Sequence, residues 1–244
     1  MAQYQYDKAF FAYTTASNDH SAKRVAGWLG GWLRPQSVVD FGCAQGAWLA
    51  AWQVAGATDV LGVDGDYVER KALRIDADRF LARDLAQPIE LGRRFDLVQS
   101  VEVAEHLPQT AAEAFVATLC RHGDVVLFSA APPGQGGEHH VNEKPYGWWR
   151  DLFAARGYRL FDCVRPQLAG DAQVQVWYRY NVFLYVNDGA IARLPPEVAA
   201  TRLADGAAVP DISPLPYQLR KAAVRALPQP VADQLARFKA RLRR

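Results

Sequence analysis

Within five residues the chain carries His139, His140, Asn142 and Glu143. A hydroxyl is a poor nucleophile until a base takes its proton, and an imidazole titrates near working pH. His140 with Glu143 orienting it, or His139 in the same role, would supply that base. The same His-His-x-Asn-Glu set offers nitrogen and oxygen donors to a divalent metal. No further carboxylate lies close by in sequence, so proton transfer is the favoured reading and a metal the less favoured one. A loop merely anchored by histidine hydrogen bonds is the structural alternative. A second set of residues is spaced for binding rather than for proton transfer. Asp40, Asp64 and Asp84 each sit in or just after an apolar run, with Gly42 and Gly46 after the first.

The elements that position these groups follow from pattern. Ser37 to Phe41 is a short apolar run with β-branched Val38 and Val39 behind Pro35, and it predicts a strand. Ala47 to Val54 continues at helical spacing, and Val60 to Val63 is the next strand, ending at Asp64. This is one βαβ half of a doubly wound sheet, in which ligands sit beyond the carboxyl ends of the strands. Glycines allow close backbone approach, and Asp64 is placed to accept hydrogen bonds from two ribose hydroxyls. Residues 66–77 predict a helical turn. Arg79 to Leu85 reads as a third strand and Arg94 to Ser100 as a fourth, followed by V-E-V-A-E-H-L-P with Glu102, Glu105 and His106. A helix is expected over Thr110 to Cys120 and a fifth strand over Val125 to Ala130. The Pro- and Gly-rich loop beyond it displays the histidines, as loops on a rigid scaffold often display functional groups. A helix from Lys144-Pro145-Tyr146 has Trp148, Trp149, Leu152 and Phe153 as its apolar face and stops at Gly157. Tyr158 to Phe161 and Trp177 to Val186 are the sixth and seventh strands. Ahead of the sheet, residues 4–33 read as helical, with Ser17-Asn18-Asp19 offering caps before Ala22, Val25, Ala26, Leu29 and Leu33.

The glycine loop D-F-G-C-A-Q-G lacks the G-x-G-x-x-G spacing of a dinucleotide site. It resembles motif I of the class I S-adenosylmethionine (SAM) methyltransferases, with Ala44 in place of the middle glycine. F-D-L-V with E-V-A-E-H resembles the family's motif at the fourth strand. The resemblance covers about residues 17 to 187 and implies a Rossmann-like, doubly wound, seven-stranded and mostly parallel α/β sheet with an antiparallel last strand. It also implies SAM as cofactor and S-adenosylhomocysteine as product. Asp40, Gly42, Cys43, Ala44, Gly46, Asp64 and Gly65 would then surround the cofactor. Asp84 would accept from the adenine amino group while Leu85 packs on the ring. Ser100, Val101, Glu102 and His106 would face its methionyl part, with Tyr13 as a lid. Each has a plainer reading: Asp84 as a turn residue, Glu105 and His106 as helix caps, the N-terminal aromatics as packing. P-P-G-Q-G-G-x-H-H-V-N-E with W-Y-R-x-N-x-x-L-Y-V resembles a subgroup of bacterial polysaccharide and secondary-metabolite tailoring methyltransferases. That implies O-methylation of a sugar, glycan or small-molecule acceptor, with His139, His140 and Glu143 on the acceptor side.

Composition bounds the rest. At 244 residues, half of them hydrophobic, the chain suits one α/β domain with appendages. The expected division is a helical lid over 1–36, a SAM-binding core over 37–187 and a proline-rich, basic extension over 188–244. The three cysteines, Cys43, Cys120 and Cys163, are scattered without C-x-x-C spacing, against a disulfide framework or a zinc site. No apolar run approaches a membrane span and no secretory signal is expected, so the setting reads as cytoplasmic. The net charge of +2 conceals a basic tail: residues 215–244 hold eight Lys/Arg and one acid. The stripe Val231, Leu235, Phe238 and Leu242, with Arg237, Lys239, Arg241, Arg243 and Arg244 around it, predicts a docking or oligomer helix first. Peripheral contact with an anionic inner membrane face is the second reading. The rival function is nucleic-acid (RNA) methylation, favoured by the basic tail alone. Amino-methylating enzymes usually carry D/N-P-P-Y/F where this chain reads Ser100-Val101-Glu102-Val103. A SAM-binding protein with other chemistry, or with none, is the third reading.

Overall fold

The computed structural model describes residues 8–228, 231 and 234, with side chains from Asn18 onward. Seven strands form one sheet in the order β3-β2-β1-β4-β5-β7-β6. They are β1 (Ser37–Phe41), β2 (Asp59–Asp64), β3 (Phe80–Ala82), β4 (Leu97–Val101), β5 (Val125–Ser129), β6 (Tyr158–Phe161) and β7 (Phe183–Asn187). β1 to β5 run parallel, and β7 pairs antiparallel with both β5 and β6. The helices are α1 (Lys8–Leu33), α2 (Ala47–Val54), α3 (Ala112–His122), α4 (Tyr146–Ala154), α5 (Arg165–Leu168), α6 (Val176–Asn181), α7 (Pro196–Ala199) and α8 (Leu215–Arg225).

Consecutive strand residues point to opposite faces, and here both faces are buried. Val38, Leu97, Leu127 and Leu184 pack with Ala22, Val25 and Leu29 of α1 and Leu49 and Trp52 of α2. Their neighbours Val39, Val98, Phe128 and Tyr185 pack on the other side with Phe115 of α3 and Trp149 and Phe153 of α4. A sheet covered on both faces explains why its central strands read as continuous apolar runs rather than alternating ones.

Several boundaries differ from expectation, each for a physical reason. The predicted caps Ser17-Asn18-Asp19 lie inside α1, which runs unbroken from Lys8. Asn18 Oδ1 accepts from the Tyr178 hydroxyl and Asp19 pairs with Arg74, so these acceptors serve tertiary partners and not the helix amides. The third strand is Phe80–Ala82 alone, leaving Asp84 beyond its end, and the fourth begins at Leu97. The predicted seventh strand is half helix: Val176–Asn181 forms α6 and only Phe183–Asn187 joins the sheet. Aromatic and β-branched composition favoured a strand, but tertiary contacts override that preference. In α6, Tyr178 packs edge-on against Trp48, and Tyr178, Tyr180 and Asn181 are buried.

Past β7 the chain stays on the fold. Asp162 N donates to Thr201 O and Leu203 N to Leu160 O, laying residues 201–203 along the edge strand β6. Two of the tail's basic residues turn inward on α8. Lys221 is buried and paired with Asp211, and Arg220 Nη1 donates to Gln135 O at 2.9 Å. Of the stripe predicted further on, Val231 is exposed, and Leu235, Arg237, Phe238, Lys239, Arg241, Leu242, Arg243 and Arg244 lie outside the described residues. Among the described residues no helix is long and apolar enough to cross a membrane.

Candidate active site

Because β1, β2, β4 and β5 are parallel, the loops that follow them share one end of the sheet. The first is the glycine loop. Gly42 has φ +92, a conformation L side chains rarely adopt, and a Cβ there would come within 2.3 Å of Val103 Cγ2. Ala44 is left-handed too, at φ 47, at a cost of about 1–2 kcal/mol for a residue with a side chain. That turn aims its amide at Asp64 Oδ2, 2.7 Å away. Gly65 N donates to Oδ1 at 2.7 Å and the Tyr67 hydroxyl to the same oxygen at 2.5 Å. Gly46 then caps α2. Asp64, at the end of β2, is thus held from behind by two backbone amides and met by a phenol.

Asp40 is buried beneath this loop, with Oδ1 lacking a hydrogen-bond partner. Burial, and secondarily the charge of Asp64, push its carboxyl up to about 8. Burial raises Asp64 as well, against the lowering effect of its three donors. The Cys43 thiol is buried and pushed well above its usual range by burial and by both acids, so it is a packing group rather than a nucleophile. Asp84 is exposed and its Oδ1 accepts from Ala86 N at 2.9 Å, closing a local turn, while Leu85 beside it is buried. Tyr13 lies on α1, but its side chain is outside the described residues.

The loops after β4 and β5 build the other half. Ser100 is fully buried with an unpartnered hydroxyl, and Val101 ends the strand. Glu102 is left-handed at φ 56. Its carboxylate accepts from Gln135 Nε2 at 2.5 Å and Asn181 Nδ2 at 3.2 Å. Asn181 also donates to Gln135 Oε1 at 2.6 Å and accepts from the Tyr146 hydroxyl at 2.8 Å. This closed polar network ties together β4, the loop after β5, α4 and α6. Glu143 accepts from Gly134 N and Gly136 N, each at 2.7 Å, and its Oε1 lies 2.9 Å from His140 Nδ1. The predicted His140–Glu143 pair therefore forms, and the same carboxylate also folds the P-P-G-Q-G-G loop around itself.

His139 is left-handed at φ 59, and its carbonyl lies 3.3 Å from His106 Nδ1. The rings of His106 and His140 meet edge to face with centroids 4.8 Å apart. Burial, then His140, holds His106 well below the usual imidazole range, so its ring is neutral. Val141 N and Asn142 N both donate to Glu105 O, at 2.9 Å each, clamping the two loops together. Glu105, expected near the chemistry with a helix cap as its plainer reading, is fully buried with both carboxylate oxygens unpartnered. Among the described residues, three of the four left-handed non-glycine positions (Ala44, Glu102 and His139) lie in these loops. Such strain concentrates at functional sites.

Residues 13–163 match a methyltransferase domain family. The chain belongs to that family. It is an S-adenosylmethionine-dependent methyltransferase of class I, and its seven-stranded sheet is the fold of solved methyltransferases. An O-methyltransferase family protein from Burkholderia thailandensis superposes with a TM-score of 0.57 at 14% identity. That match covers 73% of this chain and 58% of the other, so the methyltransferase spans little more than half that relative's length. The magnesium protoporphyrin IX methyltransferase of Synechocystis PCC 6803 gives 0.52 at 21% identity, covering 77% and 90%. CalS10, an amino pentose methyltransferase from Micromonospora echinaspora, gives 0.53 at 17%, covering 77% and 100%. No curated protein matches the sequence.

Sequence reasoning missed several site residues of this methyltransferase. Tyr67 carries no motif. Gln135 and Asn181 lie inside quoted patterns, P-P-G-Q-G-G and W-Y-R-Y-N, without being singled out. The seat of α8 on the loop was equally unseen: a Cβ at Gly134 would come within 2.0 Å of Lys221 O.

Proposed function

We propose that this methyltransferase moves a methyl group from SAM to a hydroxyl of a sugar, glycan or glycosylated small molecule. The observation that carries the reading is the clamp between the loops after β4 and β5. It gathers Glu105, His106, His139 and His140 at the end of the sheet where the glycine loop and Asp64 also lie. The residues fit the cofactor: Asp64, anchored by the Ala44 and Gly65 amides, is the carboxylate assigned to the ribose diol. Gly42, with Val103 packed against it, keeps the loop thin. SAM supplies a methyl carbon activated by a sulfonium leaving group.

The division of labour follows. Asp64 exchanges the Tyr67 phenol for ribose hydroxyls, and Asp84 and Leu85 receive the adenine side. Asp40, Gly46, Ser100, Val101 and Glu102 shape the remainder of the pocket. With SAM bound, its sulfonium would supply the activated methyl group and leave as the neutral thioether, and the acceptor hydroxyl would have to give up its proton to a base. Orientation is the main requirement. That proton is assigned to His140, held by Glu143, or to His139. An amino pentose methyltransferase among the structural neighbours supports this acceptor class.

The test is methyl transfer from radiolabelled SAM to nucleotide sugars and free glycans, with RNA in parallel. The expected product carries a base-stable methyl ether on a sugar, and its formation falls in His140→Gln. Label on nitrogen, on RNA alone or on no acceptor would contradict the assignment.

A further inference from the structure

We propose that Glu105, His106 and His140 form a binding site for one first-row divalent cation such as manganese or zinc. The proposal deepens the reading of this cluster as the place where the acceptor is activated. Cation binding itself does not depend on that reading.

Four observations carry it. The first is Glu105, a fully buried carboxylate with neither oxygen hydrogen-bonded. Buried carboxylates are normally paired or coordinate a metal, and Asp/Glu are among the residue types rarest in full burial. Secondly, one ligand atom from each of the three residues lies within 4.8 Å of the others. Ligands at about 2.0–2.2 Å from one ion require only a small closure of that cluster.

Thirdly, each imidazole has one ring nitrogen already engaged. His140 Nδ1 faces Glu143 Oε1 at 2.9 Å, and His106 Nδ1 faces the His139 carbonyl at 3.3 Å. Metal-binding histidines are typically held this way, since an acceptor on one nitrogen fixes the tautomer that leaves a lone pair on the other. Fourthly, the residue beside His140 Nε2 is a glycine. A Cβ on Gly137 would lie 2.0 Å from that nitrogen, so any larger residue would fill the approach.

Two imidazole nitrogens and one carboxylate oxygen suit manganese, iron, cobalt or zinc better than calcium, which takes oxygen ligands, or magnesium, which keeps most of its waters. Three protein ligands leave coordination positions open. A hydroxyl bound there would be acidified by the ion, with His140 acting as ligand and His139 or water taking the proton.

The experiment uses the full chain, stripped with a chelator and titrated calorimetrically with manganese chloride and with zinc chloride. Cobalt absorption in the visible provides a check on the ligand set. Wild type is expected to bind one ion per chain, and Glu105→Gln and His140→Gln are each expected to weaken binding by about 100-fold or more. Asp59→Asn, a surface carboxylate, should bind as wild type does. Glu105→Gln removes an unpartnered buried acid, so it should fold; if it does not, His106→Gln takes its place. No binding by folded, stripped wild type would overturn the proposal, and so would binding unchanged in Glu105→Gln and His140→Gln. Titrating SAM into the same stripped protein separates failure of this site from failure of the cofactor reading.

Discussion

The Tyr67 hydroxyl donates a 2.5 Å hydrogen bond to Asp64 Oδ1, the oxygen that also takes the Gly65 amide. The phenol thus stands where a ribose hydroxyl would have to donate. If Asp64 holds the ribose as proposed, the phenol satisfies this buried carboxylate in the cofactor-free protein and would give way on binding. Tyr67→Phe is therefore expected to bind SAM as tightly as wild type or a few-fold more tightly. A loss of affinity above tenfold would mean that Tyr67 contacts the cofactor instead. Calorimetry on the two proteins decides between them.

Gly42→Ala should be damaging out of proportion to one methyl group. Its φ of +92 is strained for alanine, and the new Cβ would overlap Val103 Cγ2 at 2.3 Å. Overpacking of this kind costs about 1–3 kcal/mol. The expected outcome is a lowered unfolding midpoint together with weaker SAM binding, read by thermal melts with and without SAM.

Asp40 gives stability a pH slope. Its carboxyl is raised from 3.8 to about 8 in the folded protein. The folded state therefore holds a proton the unfolded state has lost. That contribution is complete below the unfolded value and disappears as pH rises through about 8. Stability of the cofactor-free protein should fall between pH 5 and about pH 8. Asp40→Asn should flatten the fall and be the more stable protein at the upper end. Asp64, raised in the same direction by burial, leaves a residual slope. Urea midpoints across that range test the sign.

Glu143→Gln should separate turnover from cofactor binding. Glu143 holds two backbone amides and His140 Nδ1, and hydrogen bonds to a charged group contribute about 1.5–3 kcal/mol each. Glutamine offers a single carbonyl oxygen, so one amide or the imidazole loses its partner. A fall in kcat of about 10²-fold is expected, with SAM affinity within a few-fold of wild type. Equal losses in both would place Glu143 in folding rather than in acceptor chemistry.

What could be read from sequence was local. The glycine loop, the acids in β1 and at the end of β2 and the His140–Glu143 pair each lie within a few residues of chain, and their spacing fixes their geometry. The closed network could not be read that way. Glu102 meets Gln135 across 33 positions and Asn181 across 79, and no local pattern encodes such pairs. The same gap hid Glu105's nearness to His140: a carboxylate absent from the histidine loop's own sequence arrives from the loop after β4. The strand drawn over Trp177 to Val186 failed because burial of Tyr178 against Trp48 outweighs the intrinsic preference of its residues.

The most direct measurement is calorimetric titration of SAM and of its demethylated product into wild type and Asp64→Ala. Asp64 is fixed by the Ala44 and Gly65 amides, and its proposed role is to accept the ribose diol. Two lost charge-assisted hydrogen bonds, about 1.5–3 kcal/mol each, predict affinity weaker by at least 100-fold in a variant that stays folded. Wild type should bind one SAM per chain. Failure of folded wild type to bind SAM, or equal affinity in Asp64→Ala, would contradict the account.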